Sequence, residues 1–432
     1  MIKQSWRSEI LNNWKRHIPE GSRDILFEDC SNKIKIINVL RELYINSGFL
    51  EVISPTLEFY DVFQGETIFI EQEKMYKLFD NEGRILVLRP DMTMPIARIV
   101  ATKLKDSLYP MRICYSGNIF RKNENWNGKV SEMTQSGVEI IGSESTKADA
   151  EVIITAIQAL LSIGVRKFQL EIGQADFFKG LIEDIELDFD EMEKLRGLVQ
   201  NKNFGALREF IEERQDILGT KNVEALKKLP ELFGGIEILD KARTLTKNKK
   251  AIAAIDTIEK IYERIKGVGL GEFISIDLGM VQHIDYYTGI IFRGYSSQIG
   301  TTIISGGRYD NLISKFGTSM PAVGFAIDVD NILSVLEKQG NNNEKVSEKY
   351  IIHYENHLIG SACKFASQIR SKGFVAELSL FEEKEKTLSY GEQKKIDKMI
   401  CVLEDEKIQI IDIKTNKSWN ENIEEFIKSL ED

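Results

Sequence analysis

The run Met133 to Ile141, MTQSGVEII, puts Gln135, Gly137 and Glu139 on one side of an extended strand, because successive side chains on a strand point to opposite faces. That side is polar, while the segment around it is apolar. An acid or amide in or beside apolar strands needs a partner, or it costs on the order of 1–3 kcal/mol. A pure core strand would not carry such a face. Upstream, Met111 to Ser116 is a second strand-like run, and a polar stretch from Asn123 to Lys129 joins the two as an antiparallel pair. One face of this sheet is therefore expected to hold something polar.

The rest of the first third alternates strands and helices. Ile34, Ile37, Leu40 and Tyr44 recur with helical period over 32–47, and Gly48 ends the helix. Phe49 to Ile53 reads as a short strand stopped by Ser54-Pro55, and Ile85 to Leu88 as a strand stopped by Arg89-Pro90. Met94 to Leu104 and Ala148 to Ile163 read as helices, and Lys167 to Ile172 as a strand. From 177 to 266 the texture turns charged and helical, an all-helical insertion whose exit Gly267, Gly269 and Gly271 mark. Strand character returns at 273–277, 289–293 and 301–304, before a helix over 328–339. Residues 340–348, GNNNEKVSE, form a linker. Beyond it, 349–432 is a compact unit of alternating strands and helices. Strands joined mostly as hairpins, with helices laid to one side, predict an α+β fold around an antiparallel sheet of six or seven strands.

Charge and composition narrow the function. The formal net charge is −10, and from Val346 to Asp432 there are 13 Lys and Arg against 17 Asp and Glu. A protein that grips a polyanion offers clustered cations, so RNA binding is disfavoured. Lys394, Lys395 and Lys398 read as a solvated helix face. No apolar run reaches the roughly 18 residues that span a bilayer, and no secretory leader is expected. Cys30, Cys114, Cys363 and Cys401 form no close pair, which suits a reducing cytoplasm. His353 and His357 lie four apart without a suitably spaced third ligand, so no metal site is expected. There is no glycine-rich phosphate loop of the GxxxxGK[ST] type, and no cofactor is expected.

Four segments, in order, resemble the class II aminoacyl-tRNA synthetases and, among them, histidyl-tRNA synthetase. Gly48 to Pro55 is similar to motif 1, the dimer-forming helix, strand and proline. Arg89-Pro-Asp-Met-Thr93 is similar to the RPEGT loop. Ile119-Phe-Arg121 through Gln135-Ser-Gly137-Val-Glu139 is similar to motif 2, with Gly128 in register. Ile284-Asp-Tyr-Tyr-Thr-Gly289 and Gly306-Gly-Arg-Tyr-Asp310 are similar to the histidine-specific motifs. The resemblance implies a synthetase-like core over 1–339, interrupted by the helical insertion, and a C-terminal unit similar to an anticodon-binding domain. It also implies a homodimer through the motif 1 region.

By the same resemblance, Asp91, Thr93 and Gln135 hold the α-ammonium of histidine, while Glu139, Tyr287 and Tyr309 read its imidazole, with Arg121 and Tyr286 in the same pocket. The chemistry suits that ligand. A carboxylate offsets a buried ammonium, and hydrogen bonds to both ring nitrogens distinguish imidazole from other rings.

The activation chemistry departs from the family. Histidyl-adenylate formation develops negative charge on the ATP α-phosphate, which the family meets with three arginines. Arg121 matches one, but Gln282 and Asn331 stand where the other two are expected, and Asn123 replaces the motif 2 glutamate. Removing one preorganised donor from a developing anion costs roughly 10²- to 10³-fold, so no useful adenylation is expected. A synthetase paralogue with a histidine pocket and no activation arginines resembles the regulatory subunits of ATP phosphoribosyltransferase. That implies a short catalytic partner subunit, feedback by L-histidine at the first step of histidine biosynthesis, and a heteromultimer. The competing readings are a divergent active histidyl-tRNA synthetase and a module that senses uncharged tRNA. The sequence leaves open whether histidine sits in the synthetase-like pocket or at a subunit boundary.

Overall fold

The computed structural model describes residues 15–65, 70–122, 130–281, 286–340 and 348–430. The chain divides into two compact units, Met1–Asn341 and Asn342–Asp432. Residues 341–347 of the expected linker, the polar stretch 123–129 with Asn123 and Gly128, and 282–285 with Gln282 lie outside the described residues.

The first unit is built on β1 (Leu50–Glu51), β5 (Met111–Phe120), β6 (Glu132–Ile141), β7 (Phe168–Gln174), β8 (Phe233–Gly234), β9 (Ile274–Asp277), β10 (Ile290–Ser296), β11 (Thr302–Arg308) and β12 (Ala322–Asp328). A small side sheet comprises β2 (Leu57–Phe59), β3 (Lys77–Phe79) and β4 (Ile85–Leu88). The main sheet runs in the order β1-β5-β6-β12-β11-β10-β7-β9-β8.

Three expectations are corrected. Among the described residues the sheet has nine strands, not six or seven, and it is mixed: β1 pairs β5 in parallel and β7 pairs β9 in parallel. A parallel pair needs a crossover, and the insertion from Ala175–Ile182 to Lys249–Gly267 is the crossover between β7 and β9; it is mostly but not all helical, because β8 lies within it and pairs with β9. β1 and β8 are two-residue edge strands, too short to show alternation. β12, AVGFAID, is buried on both faces for most of its length and so reads as a plain apolar run, though it lies at the centre between β6 and β11.

The two faces of the sheet differ. Val138 and Ile140 of β6 pack with helices Phe27–Asn46, Thr146–Ser162 and Lys249–Gly267 in the larger core. Ser145 accepts a hydrogen bond from the Lys147 backbone N–H and starts the second of these helices. The opposite face carries a smaller core with helix Thr93–Lys103, Tyr286 and Tyr309, and it is open enough to form a cavity.

The second unit comprises β13 (Lys349–His353), β14 (Val375–Leu378), β15 (Lys398–Val402), β16 (Lys407–Asp412) and β17 (Ser418–Asn422), in the order β14-β13-β15-β16-β17. Helix Ile359–Ser371 packs on one face and helix Lys384–Gln393 on the other. The lysine reading is corrected: the helix ends at Gln393, Lys395 has φ 55°, and Lys398 opens β15 and donates to Glu348 at 2.8 Å. His353 Nδ1 lies 3.0 Å from Thr387 Oγ1, and His357 is exposed.

Candidate functional site

The polar face expected from β6 forms the wall of a cavity of about 260 Å³. Asp91, Thr93, Arg121, Gln135, Glu139, Tyr286, Tyr287 and Tyr309 all line it. They come from the loop before helix Thr93–Lys103, the end of β5, β6, the turn before β10 and the segment after β11. The position of Asn331 is not on the cavity wall, and that of Gln282 is not described.

Strand register explains the convergence. Glu139 of β6 faces Gly324 of β12, which faces Gly307 of β11, which faces Ile291 of β10. A Cβ on Gly324 would lie 1.6 Å from Glu139 Oε2, and one on Gly307 would lie 2.6 Å from the Tyr287 ring. The glycines are interior strand residues, not a turn, and they clear a floor over which Glu139 and Tyr287 can lie. Tyr286 and Tyr287 precede β10 in an irregular segment, so they do not alternate as strand neighbours would. Their rings meet edge to face at 4.9 Å and both line the cavity.

Glu139 is the most enclosed charge at the site, 1% exposed. Its Oε1 accepts from Tyr115 Oη at 3.1 Å and from Thr93 Oγ1 at 3.4 Å, and its Oε2 accepts from Tyr309 Oη. Burial raises its pKa to about 8, against the pull of the Tyr309, Tyr115 and Thr93 donors. Its carboxyl therefore changes charge near neutral pH. Burial, and then the Glu139 charge, raise the Tyr309 hydroxyl well above its usual range, so it is a neutral donor.

Asp91 is also raised by burial, while Arg121 opposes the shift. Its Oδ1 accepts from the Met94 backbone N–H at 3.0 Å. Arg121 donates from Nε to the Pro90 carbonyl at 2.7 Å and feels both Asp91 and Asp328. Arg89 fixes this loop: it donates to the Ser54 carbonyl at 2.7 Å and to the Asn118 carbonyl at 2.8 Å, tying the RPDMT segment to Ser54-Pro55 and β5. Gln135 Oε1 is buried at the cavity and has no hydrogen-bond partner among the described residues, an acceptor suited to an N–H donor from a ligand.

Sequence reasoning missed Tyr115, Ser305, Gly324 and Arg293. Tyr115 was within reach, because it is the cross-strand partner of Gly137 and shares its face. The other three depend on the central position of β12 and on the β10–β11 register.

At the other end of β12, Asp328 starts helix Val329–Gln339 by accepting from the Asn331 backbone N–H at 2.9 Å. Asn331 Nδ2 donates to the Thr302 carbonyl at 3.0 Å and to Asp328 Oδ2 at 3.1 Å. Asp330 accepts from Arg23, Lys33 and the Thr134 backbone N–H at 2.8–3.0 Å. Among the described residues no group of three or more His, Cys, Asp or Glu could hold a metal ion, and no helix is long and apolar enough to cross a membrane.

Comparison with known proteins agrees with this architecture. Residues 21–332 match the family model for histidyl-tRNA synthetase. A Clostridium kluyveri protein named ATP phosphoribosyltransferase regulatory subunit is 54% identical over 384 residues, 89% of this chain and 98% of the relative. The crystal structure of an ATP phosphoribosyltransferase regulatory subunit/histidyl-tRNA synthetase from Bacillus halodurans is 34% identical, with a TM-score of 0.78 over 87% of this chain and 96% of that one. Histidyl-tRNA synthetase from a Nostoc species, at 18% identity, shares the fold with a TM-score of 0.80 over 96% of this chain and 98% of its own. The similarity runs through both units and nearly the full length of these relatives, and the chain belongs to the family of ATP phosphoribosyltransferase regulatory subunits, built on the fold of histidyl-tRNA synthetase.

Proposed function

We propose that the chain is the non-catalytic regulatory subunit of a cytoplasmic ATP phosphoribosyltransferase, a homodimer within a hetero-oligomer. It activates a short-form catalytic subunit and carries feedback inhibition by L-histidine. The observation that supports this best is the convergence of Asp91, Thr93, Gln135, Glu139, Tyr287 and Tyr309 on one cavity. An imidazole beside Glu139 meets a carboxyl whose pKa burial raises, so that group can offer the ring a hydrogen-bond donor or acceptor. The ligand ammonium has Asp91 and the Gln135 oxygen, which no described residue engages, as acceptors.

The absence of adenylation rests on Gln282 and Asn331 in place of cations. Asn331 Nδ2 already donates to the Thr302 carbonyl and to Asp328, and Asn331 itself does not line the cavity. The homodimer is supported by apolar side chains around Ser54-Pro55: Leu50 and Ile53 are 63% and 87% exposed, with Leu57 and Phe59 beside them.

Mixing the purified chain with the catalytic subunit and following phosphoribosyl-ATP formation, with and without histidine, tests the reading. Activity that requires both chains and falls with histidine is expected. Equal activity without this chain overturns it.

A further inference from the structure

We propose that Arg293 on β10 takes the carboxylate of the bound amino acid. The inference rests on the histidine reading above and adds a residue to it.

Arg293 lines the cavity, and register fixes where it enters. It faces Ser305 of β11, which faces Ala326 of β12, which faces Gly137 of β6. This row lies two residues along the strands from the row that holds Glu139, Gly324, Gly307 and Ile291, and on the same side of the sheet. Its side chains shrink from Arg293 through Ser305 and Ala326 to Gly137, so within this row no large side chain rises between Arg293 and β6. Three strand spacings, roughly 14 Å, separate the two backbones. Glu139 and Arg293 stand on the two outer strands of this four-strand floor, on the same side of the sheet, and both line the cavity. A ligand with imidazole at Glu139 and ammonium at Asp91 and Gln135 points its remaining group, the carboxylate, toward β10.

Arg121, the other cation on the wall, is less suited. It is held by the Pro90 carbonyl and shared between the Asp91 and Asp328 carboxylates. Arg293 faces Glu171 across β7, and Lys202 and Asp277 also act on that carboxyl. Lys202 in turn sits 3.0 Å from Asp277. A guanidinium has five donors in a planar fork, so it can face Glu171 and still present an edge to a second carboxylate.

Calorimetric titration with L-histidine and with histidinol, which keeps imidazole and ammonium but lacks the carboxylate, tests the assignment. Both are titrated into the full chain, alone and with its catalytic partner, as wild type, Arg293→Gln and Arg293→Lys. Wild type should bind histidine at least 10-fold more tightly than histidinol, from the charged hydrogen bonds the alcohol cannot make. Arg293→Gln should erase that preference, weakening histidine about 10-fold or more and leaving histidinol within about 2-fold, which also shows that the variant is folded. Arg293→Lys should fall between. If Arg293→Gln leaves histidine affinity unchanged, or weakens both ligands equally, the assignment is overturned while the pocket reading stands. If wild type binds neither ligand in either form, the pocket reading fails and this assignment with it.

Discussion

Arg308 and Asp149 form a buried ion pair behind the site, with Nε at 2.9 Å and Nη2 at 2.7 Å from the same carboxylate oxygen. Arg308 also donates to the Ser143 carbonyl and to Asp310. It points into the helix layer, whereas the adjacent Tyr309 returns to the cavity and donates to Glu139. Asp149→Ala leaves the guanidinium buried without its main counter-charge and should cost about 3–5 kcal/mol. Urea unfolding measures that loss, and histidine affinity should fall with it as Tyr309 loses its anchor. A variant with wild-type stability would show the pair to be dispensable.

Glu139→Ala removes the carboxylate proposed to meet the imidazole. The loss of a charged hydrogen-bond partner, about 1.5–3 kcal/mol, lowers histidine affinity by one to two decades. Inhibition of the assembled enzyme should move to correspondingly higher histidine while uninhibited turnover survives. Calorimetry and an inhibition curve on the same preparations check both halves. Normal binding with unchanged inhibition would place the sensor elsewhere.

Stability should fall as pH rises from about 4.5 to about 8. The folded state holds the Glu139 proton up to about 8, whereas an unfolded glutamate releases it near 4.5, so the folded state binds more protons throughout that window. Asp328, raised to about 6 by burial, adds to the same trend at its lower end. Glu139→Gln should flatten the profile. Unfolding midpoints at pH 5, 6.5 and 8 test this, and parallel profiles for the two proteins would contradict it.

Gly324→Ala should close the floor. A methyl group there overlaps Glu139 Oε2 and the Val138 carbonyl, and the carbonyl belongs to the sheet and cannot swing aside. Overpacking of this kind costs about 1–3 kcal/mol, and histidine binding should be lost before the fold is. Circular dichroism melts alongside calorimetry separate the two effects. Undiminished binding would mean that Glu139 does not lie over β12 in the bound state.

Given ATP, magnesium and histidine, the chain should give no histidine-dependent ATP–pyrophosphate exchange above background. Placing charge at the exposed apolar edge, as Leu50→Asp with Ile53→Asp, should convert a solution dimer to a monomer by light scattering. Exchange at a synthetase-like rate, or a dimer that survives both changes, would overturn the corresponding claim.

The strands that carry the site were legible where one face is polar. Gln135, Gly137 and Glu139 announced a cavity wall because alternation leaves no apolar reason for them. β12 was not legible, because a strand covered on both faces has no period to read, and with it went Gly324 and the path from Glu139 to Arg293. The parallel pairings were hidden too, since the partners of β7 and β1 lie far along the chain. Lys394, Lys395 and Lys398 misled because a run of charge marks solvent without saying whether the backbone beneath is helix, turn or strand.

The small polar knot at the start of helix Val329–Gln339 bears on evolutionary reversibility. On the proposed reading, Asn331 occupies the place of an activating arginine, yet its amide now serves the Thr302 carbonyl and Asp328. Asp330 beside it joins two cations to the β6 backbone. An arginine restored at 331 would leave the Thr302 carbonyl without that donor and would still face the missing cation at 282. That step back would cost stability before any adenylation returned. Descent from a synthetase would then work as a ratchet, with the abandoned catalytic position absorbed into the scaffold.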